Sequence, residues 1–120
     1  MTPLLLIGGG GHCRSCIDVI EAQNEYKIAG IIVSNTSGLD LVQGYPVIGV
    51  NEDLEKIIPK TPNSLVTVGQ IKTPDIRIHL YQELKKLKAK LPTIIAPTAY
   101  CSKHALVGSG TILMHGALVN

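Results

Sequence analysis

Four consecutive glycines, Gly8 to Gly11, follow the short apolar run Pro3–Ile7, and His12 stands directly after them. A glycine turn between a strand and a helix lets backbone N–H groups approach a ligand closely, and the helix N-terminus favours an anion there. A nucleotide phosphate is the natural guest. The strict dinucleotide fingerprint is not met. Gly8-x-Gly10 is followed by Cys13 where a third glycine would stand, and the second strand ends in Ser34 and Asn35 without the acidic residue that holds a ribose. NAD is therefore disfavoured. A tight turn that binds nothing is the plainer alternative.

A second group lies in "VGQIKTPDIRIHL". Val68-Gly69 ends a strand and leads into a helix, which places Gly69, Gln70 and Lys72 at the carboxyl edge of a sheet, where open α/β sheets bind ligands. Gln70 suits a base or sugar, and Lys72 or Arg77 suits a phosphate; a solvated loop is the competing reading. Cys13 and Cys16 form a C-x-x-C at a helix start. Both fall on the apolar stripe with Ile17 and Ile20, so they read as small core residues before they read as a redox pair. No second C-x-x-C completes a zinc site, and no metal site is expected. His79 reads as a surface residue, whereas His104 and His115 fall where side chains point outward, positions open to a general base.

The elements that position these groups alternate. Pro3–Ile7 and Ile28–Val33 read as strands, with a helix over 12–24 carrying Cys13, Cys16, Ile17 and Ile20 at i, i+3, i+4, i+7 spacing. Pro46–Ile48 is a short strand before a helix expected to be capped by Asn51. Ser64–Val68 is a further strand, and a long helix is expected over 75–90, with Ile76, Leu80, Leu84, Leu87 and Leu91 on one stripe. This β-α-β order predicts a parallel sheet covered by helices.

From Ile95 the pattern changes to a period of six. Ile95, Cys101, Val107, Leu113 and Val119 recur, and Ala99, Ala105, Thr111 and Ala117 stand four residues after the first four. Such hexads mark a parallel β-helix, the aliphatic residue pointing inward and the small one at a corner. Three hexads close one coil of the left-handed form, so about one and a third coils are present. A single coil cannot bury its own interior. The chain therefore reads as cut inside a longer β-helix, or as having its last coil covered by another subunit.

Bulk properties narrow the classes. The 120 residues carry a net charge of +2 and no Trp or Phe, which disfavours nucleic acid and base-stacking platforms. No apolar run reaches membrane-spanning length, so no membrane partner is expected. The N-terminal apolar run is too short for a signal peptide. An odd cysteine count of three fits reduced thiols, and a cytoplasmic location is expected.

In joint order, "LIGGGGHCRSCIDVIE", "GYPVIGVNEDLEKI", "VTVGQIKTPDIRIHLY" and the hexads of "IIAPTAYCSKHALVGSGTILMHGALVN" resemble the bacterial hexapeptide-repeat sugar acyltransferases. These include the sialic acid O-acetyltransferases and the related bacillosamine-type N-acetyltransferases. The resemblance implies a small Rossmann-like domain over 1–91 that holds a sugar or nucleotide sugar, then the first coil of a left-handed parallel β-helix over 92–120. The substrate set it implies is Gly8, Gly9, Gly10, Gly11, His12, Ser34, Gly69, Gln70, Lys72 and Arg77. It also implies acetyl-CoA bound by the β-helix of the full-length enzymes and not by this chain, a homotrimer, and a histidine base one coil beyond His115. No catalytic residue is expected here. The rival classes are a non-catalytic nucleotide-binding module, an interaction domain and, more remotely, a thiol oxidoreductase.

Overall fold

The computed structural model describes residues 1–69 and 74–120. A five-stranded sheet is built from β1 (Thr2–Ile7), β2 (Tyr26–Val33), β3 (Leu41–Val42), β4 (Tyr45–Val50) and β5 (Ser64–Val66) in the order β3-β4-β2-β1-β5. Only β3 is antiparallel. The chain moves outward from β1 to β2 and β4, then returns to pair β5 with the free side of β1. That reversal makes the carboxyl end of β1 a topological switch point, the usual place for a crevice in an open α/β sheet.

Both faces of the sheet are covered, which is why its central strands read as continuous apolar runs. Side chains alternate. Leu4 and Leu6 of β1, with Ile31, Val33 and Leu65, pack against helix α1 (Gly11–Gln23) through Cys13, Cys16, Ile17 and Ile20. Leu5 and Ile7, with Ile32 and Val66, pack on the other face against Leu54 of α2 (Leu54–Ile57) and Leu80 and Leu84 of α3 (Asp75–Lys86). A register shift opposite Leu4/Leu5 pairs Leu4 with Ile28 but Leu5 with Gly30. It puts Ile28 and Ile31, three residues apart, on the same face.

Several expected boundaries move. α3 ends at Lys86, four residues early, because the chain turns out of the helix through Lys88 at φ 61°. The strand expected to reach Val68 ends at Val66. Asn51 opens a 3₁₀ turn (Asn51–Asp53) and is not its cap; the Asp53 carboxylate accepts the Val50 N–H at 3.0 Å. Ile76 of the expected stripe is exposed, while Leu80 and Leu84 are buried. The β3–β4 hairpin was not expected. Its two-residue turn, Gln43-Gly44, takes positive φ at both positions, the geometry that matches strand twist.

After Lys90 the chain forms four two-residue strands. β6 (Ile94–Ile95) pairs in parallel with β8 (Ile112–Leu113), and β7 (Tyr100–Cys101) with β9 (Leu118–Val119). Each partner stands 18 residues on, three hexads. The N–H groups of Ala99, Ala105 and Ala117 donate to the Ala96, Ser102 and Met114 carbonyls and close turns there. Ile94 and Ala96 are buried in the same core as α1.

Candidate functional site

The glycine turn leaves β1 at the switch point and is anchored on both sides. Gly8 N–H donates to the Ile32 carbonyl at 2.7 Å, and the buried Thr67 hydroxyl donates to the Gly8 carbonyl at 2.7 Å. Gly8 has φ +122°, and a Cβ there would stand 2.8 Å from the Val68 backbone nitrogen. At Gly9 a Cβ would meet the Val33 side chain at 2.9 Å. These two glycines are required by the fold.

Gly10 and Gly11 are not. Neither has positive φ, and a Cβ at either would meet nothing within 4 Å. Gly10 is the N-cap of α1 and offers no side-chain cap to the first-turn N–H groups, and no acidic residue lies in that turn. Those donors and the positive end of the helix dipole open onto the surface beside the glycines.

Two clefts meet at the turn and share Gly8, Gly9, Gly10 and Val68 in their walls. One, of about 320 Å³, is completed by Ser34, Ser37, Leu39 and Asn51 and by Ile76 and Leu80 of α3. The other, of about 530 Å³, runs past Gly11, His12, Thr67 and Gly69. Burial, then the positive charge of Arg77, holds the His12 pKa below the usual histidine range. A Cβ on Gly69 would lie 3.2 Å from the His12 Cβ, so the glycine makes room for the imidazole.

The structure thus brings Gly8, Gly9, Gly10, Gly11, His12, Ser34 and Gly69 around one turn, with Arg77 close enough to act on His12. Gln70 and Lys72 lie outside the described residues. Sequence reasoning missed Thr67, Asn51 and Leu39. Thr67 carried a usable signal, a hydroxyl inside an otherwise apolar strand end; Asn51 had been assigned to capping, and Leu39 lies in a loop.

The remaining candidates separate cleanly. Cys13 and Cys16 are free, buried thiols, and burial together with the neighbouring Cys13 pushes Cys16 up to about 12. His104 is exposed. His115 has both ring nitrogens engaged, Nε2 at 3.0 Å from Asp18 Oδ2 and Nδ1 at 3.1 Å from Thr98 Oγ1. Among the described residues no three His, Cys, Asp or Glu side chains gather to hold a metal ion. None of the described helices is long and apolar enough to cross a membrane.

A mostly parallel sheet with a glycine turn at its switch point defines an open α/β domain. The chain belongs to the PglD N-terminal domain family, whose pattern matches residues 3–84. It is 29% identical over 118 residues to the UDP-N-acetylbacillosamine N-acetyltransferase of Bacillus subtilis, covering 95% of this chain and 52% of that protein. The acetyltransferase domain of PglB from Neisseria gonorrhoeae, solved with acetyl coenzyme A, superposes with a TM-score of 0.82 at 30% identity, over 97% of this chain and 54% of that one. PerB from Caulobacter crescentus, solved with CoA and GDP-perosamine, gives 0.85 at 25% identity, over 100% of this chain and 55% of that one. The chain spans about half the length of the relatives it matches.

Proposed function

We propose that this chain is the substrate-binding part of an acetyl-CoA-dependent sugar acetyltransferase, and that it holds a nucleotide-linked amino sugar at the glycine turn. One observation carries the reading: Gly10 and Gly11 have no conformational or packing reason to be glycine, yet they sit on the first turn of α1 beside the two clefts. A bare backbone there is useful to a ligand that must touch it. The first-turn N–H groups, which Gly10 leaves without a side-chain cap, select an anion, and a diphosphate is the anion such turns hold. His12, kept neutral, serves as a hydrogen-bonding group beside it; Gly69 makes room for that ring, and Ser34 and Arg77 complete the polar boundary.

In this reading the acetyl group and its transfer belong to the part of the relatives' length that this chain does not span. Residues 92–120 form the first coil of a left-handed parallel β-helix in this reading, supported by pairing at 18 residues and by turns at Ala99, Ala105 and Ala117. Residues 1–91 form the sugar-nucleotide domain. Acetyl-CoA, when bound by the further coils, supplies the acyl group; no residue of this chain is assigned as the base, and His115 is already committed to Asp18 and Thr98. The name of the Bacillus subtilis relative, an N-acetyltransferase, favours N-acetylation over O-acetylation. In this reading the chain by itself is a binding unit without activity.

A thermal-shift titration tests this. UDP-amino sugars should raise the melting temperature, while NAD, free sialic acid and acetyl-CoA should leave it unchanged. A ligand at a hundredfold excess over its Kd adds about 2.7 kcal/mol, a shift on the order of ten degrees for a chain this size. CMP-sialic acid in place of UDP-sugars would redirect the substrate; no response to any nucleotide would sink the reading.

A further inference from the structure

The small net charge of +2 conceals a separation of charge along the molecule. α2 and α3 both run from the carboxyl end of the sheet, where the glycine turn lies, back to its amino end. There the chain is pinned beside the start of β5. Lys90 N–H donates to the Pro62 carbonyl and Ser64 N–H to the Lys90 carbonyl, each at 2.8 Å. Lys60 N–H closes the turn after α2 with a 3.0 Å bond to the Ile57 carbonyl. Lys27, the second residue of β2, pairs opposite Pro3 at the same end. With Lys56, Lys85 and Lys88, these lysines surround the amino end of the sheet, and all are exposed.

Helix dipoles account for Lys56 and Lys85, which stand in the last turns of α2 and α3. They do not account for Lys27, Lys60, Lys88 and Lys90, which lie outside the helices. None of these lysines is neutralised by an ion pair: among the described residues the pairs are His79–Glu83 and His115–Asp18. Glu55 and Glu83, next to this cluster in sequence, line the groove between α2 and α3. Both arginines, Arg14 and Arg77, stand in the first turns of α1 and α3, at the opposite end. A face of lysines without arginine lacks the planar, bidentate groups that suit a fixed array of phosphates. Point charges on flexible stems suit a partner whose own charges can move to meet them. We propose that this lysine end docks on a membrane surface rich in anionic phospholipid headgroups, leaving the glycine turn open at the far end. Such docking needs no apolar span, and clusters of about four to eight basic side chains are the size that anionic leaflets attract. The inference stands apart from the sugar-nucleotide reading.

Co-sedimentation with vesicles of phosphatidylcholine alone, and of phosphatidylcholine mixed with phosphatidylserine, tests it at low and at high salt. The native chain should bind only the mixed vesicles and be released by salt, which screens exposed charges. Lys60→Gln/Lys90→Gln should lower the partition coefficient about thirtyfold, since each lysine near an anionic surface contributes roughly a fivefold factor. Lys27→Gln/Lys56→Gln, a second pair on the same face, should lose a similar amount. Arg14→Glu makes the same net change at the opposite end and should stay within about threefold of the native chain, because charges beyond a Debye length are screened. An unchanged melting temperature shows that each variant is folded. No binding by the native chain, equal binding to both kinds of vesicle, or an Arg14→Glu loss equal to that of the lysine pairs overturns the proposal. Binding to polyglutamate or DNA without binding to the mixed vesicles would give the face a different partner and overturn it too.

Discussion

The Thr67 hydroxyl donates a 2.7 Å hydrogen bond to the Gly8 carbonyl, joining the end of the edge strand to the glycine turn. Thr67 N–H also donates to the Ile7 carbonyl at 2.9 Å, so one residue fixes the turn from both chemical ends. Thr67→Val keeps the shape and leaves the Gly8 carbonyl without its partner. A loss of about 1–3 kcal/mol is expected in urea denaturation, together with weaker UDP binding. Thr67→Ser should restore most of the binding. Wild-type stability in the valine variant would mean that the turn holds itself.

Gly10 and Gly11 make the opposite prediction. Gly11 is the first residue of α1, with open space where a Cβ would go. Gly11→Ala should leave the fold unchanged or up to about 1 kcal/mol more stable, since alanine orders more readily in a helix. UDP affinity should fall about tenfold, roughly 1.4 kcal/mol, because the methyl group keeps the phosphate off the backbone. Gly8→Ala, at φ +122° against the Val68 backbone, should fail to fold. If Gly11→Ala binds UDP as the native chain does, these glycines have no ligand to serve.

These residues also mark the boundary of what the sequence made legible. The α1 face was readable because Cys13, Cys16, Ile17 and Ile20 repeat with the helix, and each is buried. The period of six is visible in the sequence because it needs no tertiary information, and Ile95 pairs in parallel with Leu113, 18 residues on. α3 ends early, at Lys86, because the chain turns at Lys88, a residue type that rarely signals positive φ, inside a lysine-rich run that favours helix. The bulge at Ala29 resets the alternation of β2 with no turn residue to announce it. Ile76 was assigned to the core by periodicity, and its exposed apolar surface instead walls the glycine cleft. A period finds the face buried in the core and says nothing about an exposed face that lines a cleft.

His12 ties stability to pH. Its pKa in the folded chain is lowered, first by burial and then by Arg77. The unfolded chain therefore binds more protons near and below the ordinary histidine value of about 6.5, and stability falls as pH drops through that value. The penalty is complete once pH lies below the folded pKa, and is absent above the unfolded one. His12→Gln should flatten this part of the profile. Urea midpoints measured from pH 8 to pH 5 on both chains give the test; parallel curves would remove His12 as the cause.

The buried cysteines should be chemically silent. Burial raises both thiols, Cys16 to about 12 with the neighbouring Cys13 adding to it. The thiolate is the reactive species, so neither should form a disulfide or take a label at neutral pH. A disulfide reagent should modify the half-buried Cys101 first and reach Cys13 and Cys16 only at the unfolding rate. Rapid formation of a Cys13–Cys16 disulfide under mild oxidant would revive a redox role.

His115 connects the first repeats to α1. In the neutral ring Nε2–H donates to Asp18, which leaves Nδ1 to accept from the Thr98 hydroxyl; Thr98 Oγ1 in turn accepts the Gly116 N–H at 3.1 Å. The side chains of His115 and Asp18 are 39% and 75% exposed, so the pair is worth only about 0.2–1 kcal/mol. Asp18→Ala should therefore leave the global urea midpoint almost unchanged, because Ile94 and Ala96 keep the segment docked in the α1 core. Its effect belongs to local opening. Amide exchange at Tyr100 and Ala117, whose N–H groups donate to Ala117 and Met114 carbonyls, should speed up to about fivefold, the same free energy expressed as an opening equilibrium. Unchanged exchange at both amides would show that the apolar contact of Ile94 and Ala96 alone holds the repeats against the sheet domain.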